Sequence, residues 1–206
     1  MIARGDRLPA FDLHCSLLSL PHAFRTTLET IPAQIPYVSA APNRMKHWAE
    51  VLGDPERPRI GIVWAGSATN KNDHNRSAAL ADFAALRDLG AEFISLQKEL
   101  RPADMPACEE LGVRHFGTEL TDFAETAALL ANVDAVVSVD TSVAHLAGAL
   151  GKDVWILLPF YGLDWRWLLD RNDSPWYPTA RLVRQKRDEP WSTTITAALE
   201  AIRQAV

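Results

Sequence analysis

The sequence is poor in cysteine and has no long hydrophobic run. Its two cysteines, Cys15 and Cys108, lie far apart without metal-ligand spacing, which favours a reducing compartment over a disulfide framework. We expect both thiols to serve as apolar filler. No apolar stretch approaches the roughly 20 residues that a membrane helix needs, and the N-terminus lacks the hydrophobic core of a signal peptide. We therefore expect a cytoplasmic protein without a membrane span.

Positive charge is also scarce. The chain has 21 Lys and Arg residues against 26 Asp and Glu residues, a formal net charge of −5. No overall basic field favours nucleic acid or an anionic membrane, so any anionic ligand must be held by local groups. The dinucleotide fingerprint G-x-G-x-x-G and the phosphate-loop motif G-x-x-x-x-G-K-[ST] are both absent, which disfavours ordinary NAD-binding and P-loop proteins.

Strand and helix patterns alternate through the middle of the chain. The strand segments are apolar throughout, as expected of strands buried on both faces of a sheet. Helical patterns ending at Gly90, Gly112 and Gly151 separate several of them. This alternation predicts an α/β fold, a Rossmann-like parallel sheet with helices on both faces. The predicted strands are 59–64, 92–96, 112–116, 135–139, 154–158 and 181–185.

The regions outside the sheet pattern differ in character. Residues 1–42 are rich in proline and show little periodicity. Residues 43–58 read as a linker helix followed by a loop. The Rossmann-like domain is expected to occupy 59–190, and 191–206 reads as a C-terminal amphipathic helix.

Polar residues cluster where the fourth predicted strand ends, in "AVVSVDTSVAHLAGALG" at 135–151. Asp140 or Thr141 can cap the following helix, and the free N–H groups of its first turn attract anions. Thr141 and Ser142 add hydroxyl donors, and His145 lies one turn further on roughly the same face. The stretch predicts a site for a diphosphate. The alternative is a plain helix cap with a hydrogen-bonded core histidine.

A second candidate is the long polar loop after the first strand, "WAGSATNKNDHNRS" at 64–77. Long loops in compact sheet domains are usually functional or disordered. Lys71 and Arg76 could neutralise phosphate charge, with Ser67 as a nearby hydroxyl donor. Alternatively, Arg76 and Ser77 simply cap the next helix.

Three more candidates follow other predicted strands. Gln97 and Lys98 follow the second strand. Asp122, after the third strand, could bind a base or ribose, although helix capping explains an acidic residue there equally well. Trp165 could wall the site or belong to an aromatic core.

These separate signals predict one shared crevice. The carboxyl ends of parallel strands meet at one edge of a sheet, where ligands of open α/β proteins bind. In the helix after the third strand, Thr121 is the expected N-cap and Glu125 accompanies Asp122.

Several stretches resemble known glycosyltransferases. "VDTSVAHLAGALGKDVWILLP" resembles the donor-binding segment of the lipopolysaccharide heptosyltransferase family, whose pattern is Asp-Thr-Gly-x-x-His-Leu-Ala. "GIVWAGSATNKNDHNRS", "FISLQKE" and "LLPFYGLDWRWLLDRNDSPWYPTARLVRQ" resemble the C-terminal glycosyltransferase-like region of bacterial tetratricopeptide-repeat proteins, an architecture shared with O-GlcNAc transferases. The resemblance covers nearly the whole chain.

The resemblance implies the C-terminal domain of a GT-B fold, which holds a nucleoside diphosphate sugar without a metal or other cofactor. Asp140, Thr141 and His145 match the donor motif, and Ser142 replaces its glycine. Lys71 corresponds to the basic residue of the first loop.

The resemblance also sets the expected function and its main alternative. It implies glycosyl transfer from a nucleotide sugar to an acceptor hydroxyl, and it suggests that 1–42 is the remnant of an N-terminal GT-B domain. A two-domain enzyme needs about 300 residues or more, so we expect a donor-binding half. His14 and His22 are weak candidates for a base, and no catalytic residue is assigned. The alternative is a non-catalytic nucleotide-sugar-binding module, which could self-associate through an apolar cleft face.

Overall fold

The computed structural model describes residues 5–204. The chain divides into two compact units, Met1–Pro32 and Ala33–Val206. In the first unit, a 3-10 turn at Leu17–Ser19 leads into helix α1 (Leu20–Ala23), and a second 3-10 turn follows at Leu28–Thr30. The first four residues of the predicted remnant and the last two of the predicted C-terminal helix lie outside the described residues.

The second unit contains a six-stranded parallel sheet, and the predicted α/β class is confirmed. The strand order is β3-β2-β1-β4-β5-β6. Strand β1 pairs with β2 on one side and with β4 on the other, so the order of the strands reverses between β1 and β4. The strands are β1 (Arg59–Val63), β2 (Glu92–Ser95), β3 (Arg114–His115), β4 (Ala135–Val139), β5 (Val154–Leu158) and β6 (Ala180–Arg184).

The central strands form the hydrophobic core. Every residue of β1, β4 and β5 is buried, as their continuous apolar sequences predict. Helices cover both faces of such a sheet. The remaining helices are α2 (Pro42–Leu52), α3 (Asp73–Arg76), α4 (Met105–Glu110), α5 (Phe123–Ala131), α6 (Ser142–Ala149) and α7 (Trp191–Arg203).

Helix α2, which the sequence suggests is part of a linker, packs against α5 of the sheet unit. Trp48 is fully buried and its indole Nε1 donates a 2.9 Å hydrogen bond to Glu125. Arg44 forms ion pairs with Asp122 and Glu125 at 2.9 and 2.8 Å. Helix α2 therefore supports the N-terminal end of α5.

Three local expectations are wrong. The N-cap of α5 is Asp122 rather than Thr121, because the Asp122 carboxylate accepts the Glu125 N–H at 2.8 Å. The segment expected to form an α-helix after the polar loop is a kinked 3-10 helix, Leu80–Asp88, whose Leu80 N–H is held by the Asp104 carboxylate. Cys15 is exposed and is not filler, whereas Cys108 is buried.

Candidate functional site

A cleft of about 560 Å³ opens at the carboxyl ends of β1, β2 and β4. It lies where the strand order reverses, the place where open α/β sheets bind ligands. The sequence predicts this convergence from the strand ends alone. Many predicted site residues line the cleft, namely Ser67, Arg76, Gln97, Lys98, Asp122, Thr141 and Ser142.

One wall of the cleft is the N-terminus of α6. Thr141 is the N-cap, and its carbonyl accepts the first backbone hydrogen bonds of the helix, from Ala144 and His145. Its buried hydroxyl lies 3.2 Å from the Ser138 hydroxyl and does not cap the helix. The N–H groups of Ser142 and Val143 have no acceptor within the helix. With the helix dipole, they make this wall electropositive.

Arg76 brings a cation to the cleft between β1 and β4. Its Nη1 donates a 3.1 Å hydrogen bond to the Asp140 carbonyl, which fixes the guanidinium at the end of β4. Its Nε is buried and has no hydrogen-bond partner in the described part of the chain. A buried polar group without a partner is costly. The Arg76 side chain also lines the cleft and presents positive charge to an anion there.

Asp73 is the carboxylate beside Arg76. Ser77 donates to its Oδ1 at 2.8 Å, and Arg101 donates to its Oδ2 at 2.7 Å. Partial burial raises the pKa of Asp73, but the hydrogen bonds from Ser77 and Arg101 outweigh it and hold the pKa below its ordinary value. Arg76 Nε lies 3.6 Å from Oδ1, beyond hydrogen-bond distance.

Gln97 holds the backbone at the mouth of the cleft. Its side-chain oxygen accepts the N–H groups of Trp64 and Ala65 at 2.8 and 2.6 Å, and its amide nitrogen donates to the Glu99 carbonyl. The buried Gln97 amide is therefore engaged with backbone on both sides. The neighbouring Lys98 is exposed and supplies a second positive charge at the rim.

Asp122 both caps a helix and lines the cleft. The N–H of Glu125 lowers the pKa of Asp122, and the Arg44 guanidinium adds to this effect. The carboxylate is therefore ionised and already paired. Capping, the alternative that the sequence leaves open, is the role that the contacts support.

The side chains of Asp140 and His145 do not line the cleft, contrary to their predicted place in it. His145 Nδ1 lies 3.1 Å from the Tyr177 hydroxyl, and its ring stacks on Trp167 with centroids 4.8 Å apart. Burial lowers the pKa of His145 below its usual value, against the opposing charge of Asp140. Burial also raises the pKa of Asp140, which lies beside the Trp167 indole and His145. The predicted alternative of a hydrogen-bonded core histidine describes His145.

Lys71 and Trp165 also lie outside the cleft lining. Lys71 is exposed in the polar loop, so Arg76 is the cation of that loop that faces the cleft. Trp165 is 60% exposed, meets Trp176 edge to face, and carries the Arg166 guanidinium over its ring at 4.6 Å.

Sequence reasoning missed two residues beside the cleft, Arg101 and Gly66. Arg101 follows β2, as Gln97 and Lys98 do, so its position in the chain was a usable signal. It donates to the Gly66 carbonyl at 3.1 Å as well as to Asp73. No sequence pattern shows that Arg76 covers Gly66.

Within the described residues, no group of three or more His, Cys, Asp or Glu side chains is placed to hold a metal ion, and no helix could span a membrane.

Part of this chain matches a known protein family. A sequence model of Glycosyltransferase family 9 (heptosyltransferase) matches residues 112–157. That stretch runs from β3 through α5, β4 and α6 into β5, and so includes the electropositive wall.

Solved structures of glycosyltransferases share the fold. The E. coli ADP-heptose lipopolysaccharide heptosyltransferase II has a TM-score of 0.55 at 19% identity, over 87% of this chain and 57% of that one. The family 9 glycosyl transferase of Veillonella parvula has a TM-score of 0.56 at 12% identity, over 82% and 54%. The E. coli heptosyltransferase WaaC with ADP has a TM-score of 0.53 at 17% identity, over 86% and 53%.

A curated relative extends well beyond the matched region. Protein FlbA of Caulobacter vibrioides is 28% identical over 205 residues, which is 94% of this chain and 33% of FlbA. The chain thus spans one third of FlbA and little more than half of these three transferases.

Proposed function

We propose that the cleft binds a nucleoside diphosphate sugar as the donor half of a glycosyltransferase. The observation that carries this proposal is that the Arg76 guanidinium and the N-terminus of α6 line the same cleft. An anion between them would satisfy the N–H groups of both. Lys98 at the rim adds attraction for a second phosphate.

The shape of the cleft supports a nucleotide rather than a lone phosphate. The cleft is also lined by the apolar side chains of Leu96, Leu120 and Phe123, which suit the flat face of a base. The family model and the heptosyltransferase with ADP point to the same ligand class.

The proposed chemistry places the residues of this chain around the leaving group. When the bond from the sugar C1 to the phosphate oxygen breaks, negative charge grows on the diphosphate. Arg76 and the first N–H groups of α6 would stabilise that charge in the transition state. A base that removes the proton of the acceptor hydroxyl is not assigned within this chain.

A non-catalytic binding module is the second candidate. The similar transferase chains are covered over 57, 54 and 53% of their length, so the comparisons support the donor half alone. Such a module would bind the same donor and lack transfer by itself.

Calorimetric titration with ADP, UDP and GDP tests the proposal. We expect at least one to bind, and Arg76→Ala to weaken it about tenfold or more, since a charge-assisted contact is lost. Lys71→Ala should change affinity by less than about twofold. Arg87→Ala is the matched control, because it removes an arginine that pairs on the surface with Glu110.

Three outcomes separate the candidates. Binding followed by donor hydrolysis or transfer favours the enzyme, and binding alone favours the module. Failure of all three nucleotides to bind would refute the proposed site.

A further inference from the structure

We propose that Arg101 is a positioning residue that keeps Arg76 available to the donor by occupying Asp73. The inference rests on the proposed function of the cleft. Arg101 lies outside the cleft lining and would act through Arg76 rather than touch the nucleotide.

Asp73 lies between two arginines and accepts a hydrogen bond from only one of them. Arg101 Nη2 donates to Oδ2 at 2.7 Å, and the Ser77 hydroxyl donates to Oδ1 at 2.8 Å. Arg76, three residues further along the chain, approaches the same carboxylate at 3.6 Å without a hydrogen bond. Arg76 instead donates to the Asp140 carbonyl.

This arrangement is a competition for one carboxylate. The Asp73 side chain is 13% exposed, so losing its charge partner would leave a poorly solvated anion. Residues three apart on a helix are neighbours. Without Arg101, the cation beside Asp73 is the Arg76 guanidinium, whose Nε lies 3.6 Å from Oδ1 and would close to hydrogen-bond distance. That move would draw Arg76 away from the cleft.

Gly66 supports the same position of Arg76. Arg101 holds the Gly66 carbonyl at 3.1 Å, and the Arg76 guanidinium lies against the Gly66 Cα. A Cβ at position 66 would stand 2.6 Å from Arg76 Cζ and 2.8 Å from its Nε, so it would displace the guanidinium. Arg101 and the absence of a side chain at Gly66 therefore both leave room for the guanidinium beside the Asp140 carbonyl.

The test compares Arg101→Ala, Asp73→Asn and the double variant with the parent chain. We expect Arg101→Ala to weaken the best-binding nucleoside diphosphate about tenfold, as loss of a charged contact does, while its nucleoside binds as before. The double variant should recover affinity to within about twofold, because no carboxylate remains to capture Arg76. A purely structural role would give no such rescue. If Arg101→Ala does not fold, Arg101→Gln makes the same comparison, and Arg87→Ala remains the control.

A second readout needs no nucleotide. In ¹⁵N spectra of arginine side chains, the Arg76 Nε signal is identified by its loss in Arg76→Lys. We expect this signal to shift in Arg101→Ala and to return in the double variant. An unmoved signal, or a double variant that binds as weakly as Arg101→Ala, would overturn the inference. If the parent binds no nucleoside diphosphate, the proposed function fails, and the Nε signal alone decides the role of Arg101.

Discussion

At the scale of residues, Thr141 and His145 of the donor-like motif have separate roles. The Thr141 backbone shapes the wall of the cleft, whereas His145, one turn later on α6, packs behind it with Trp167 and Tyr177. Burial raises the pKa of Tyr177, and a hydrogen bond with Tyr37 adds to the rise, so its hydroxyl stays protonated. His145 is therefore a neutral part of a packed cluster at neutral pH.

The lowered pKa of His145 predicts how stability depends on pH. Because the pKa of His145 in the folded protein lies below 6.5, the unfolded chain binds the proton more readily. The free energy of unfolding therefore decreases in the window where the pH falls from 6.5 to the folded-state pKa. The loss is at most about 1.4 kcal/mol for each pH unit inside the window. His115, whose pKa burial also lowers, adds a slope of the same sign.

The measurement is urea unfolding of the parent and His145→Gln between about pH 7.5 and 5.5. We expect the variant to lose less stability than the parent on acidification. His47→Gln, at an exposed position of α2, should keep the parent's slope. Identical slopes in the parent and His145→Gln would contradict the buried neutral histidine.

At the scale of elements, the segment after β2 holds the loop after β1. Gln97 accepts hydrogen bonds from two backbone N–H groups of that loop, and Arg101 donates one to the Gly66 carbonyl. The sequence predicts that both segments end at one edge of the sheet. It does not show that Gln97 serves the backbone rather than a ligand, because that depends on the distance between two loops about 30 residues apart in sequence.

Gln97→Ala should therefore destabilise the sheet edge. It leaves the N–H groups of Trp64 and Ala65 without their acceptor in a buried place, which costs about 2 kcal/mol or more of unfolding free energy. Urea denaturation followed by circular dichroism measures the loss. Lys98→Ala, the exposed neighbour, should stay within about 0.5 kcal/mol of the parent. A Gln97→Ala variant as stable as the parent would show that the loop does not depend on these two hydrogen bonds.

At the scale of the whole molecule, apolar strands and intervening glycine-terminated helices suffice to predict the sheet. Strands β4 and β5 have the predicted bounds, and the site edge follows from parallel strand direction. Tertiary packing places the side chains of Asp140 and His145 outside the cleft lining and pairs Asp73 with Arg101. No local sequence pattern encodes this packing. The likeness to the C-terminal region of tetratricopeptide-repeat proteins, the cytoplasmic location, metal independence and self-association stay predictions.

The central claim is that Arg76 and the N-terminus of α6 bind a diphosphate. A crystal structure with the best-binding nucleoside diphosphate tests it most directly. We predict diphosphate oxygens about 3 Å from the Arg76 guanidinium and from the N–H groups of Ser142 and Val143. A nucleotide bound elsewhere, or one in the cleft with Arg76 turned away from it, would contradict the account.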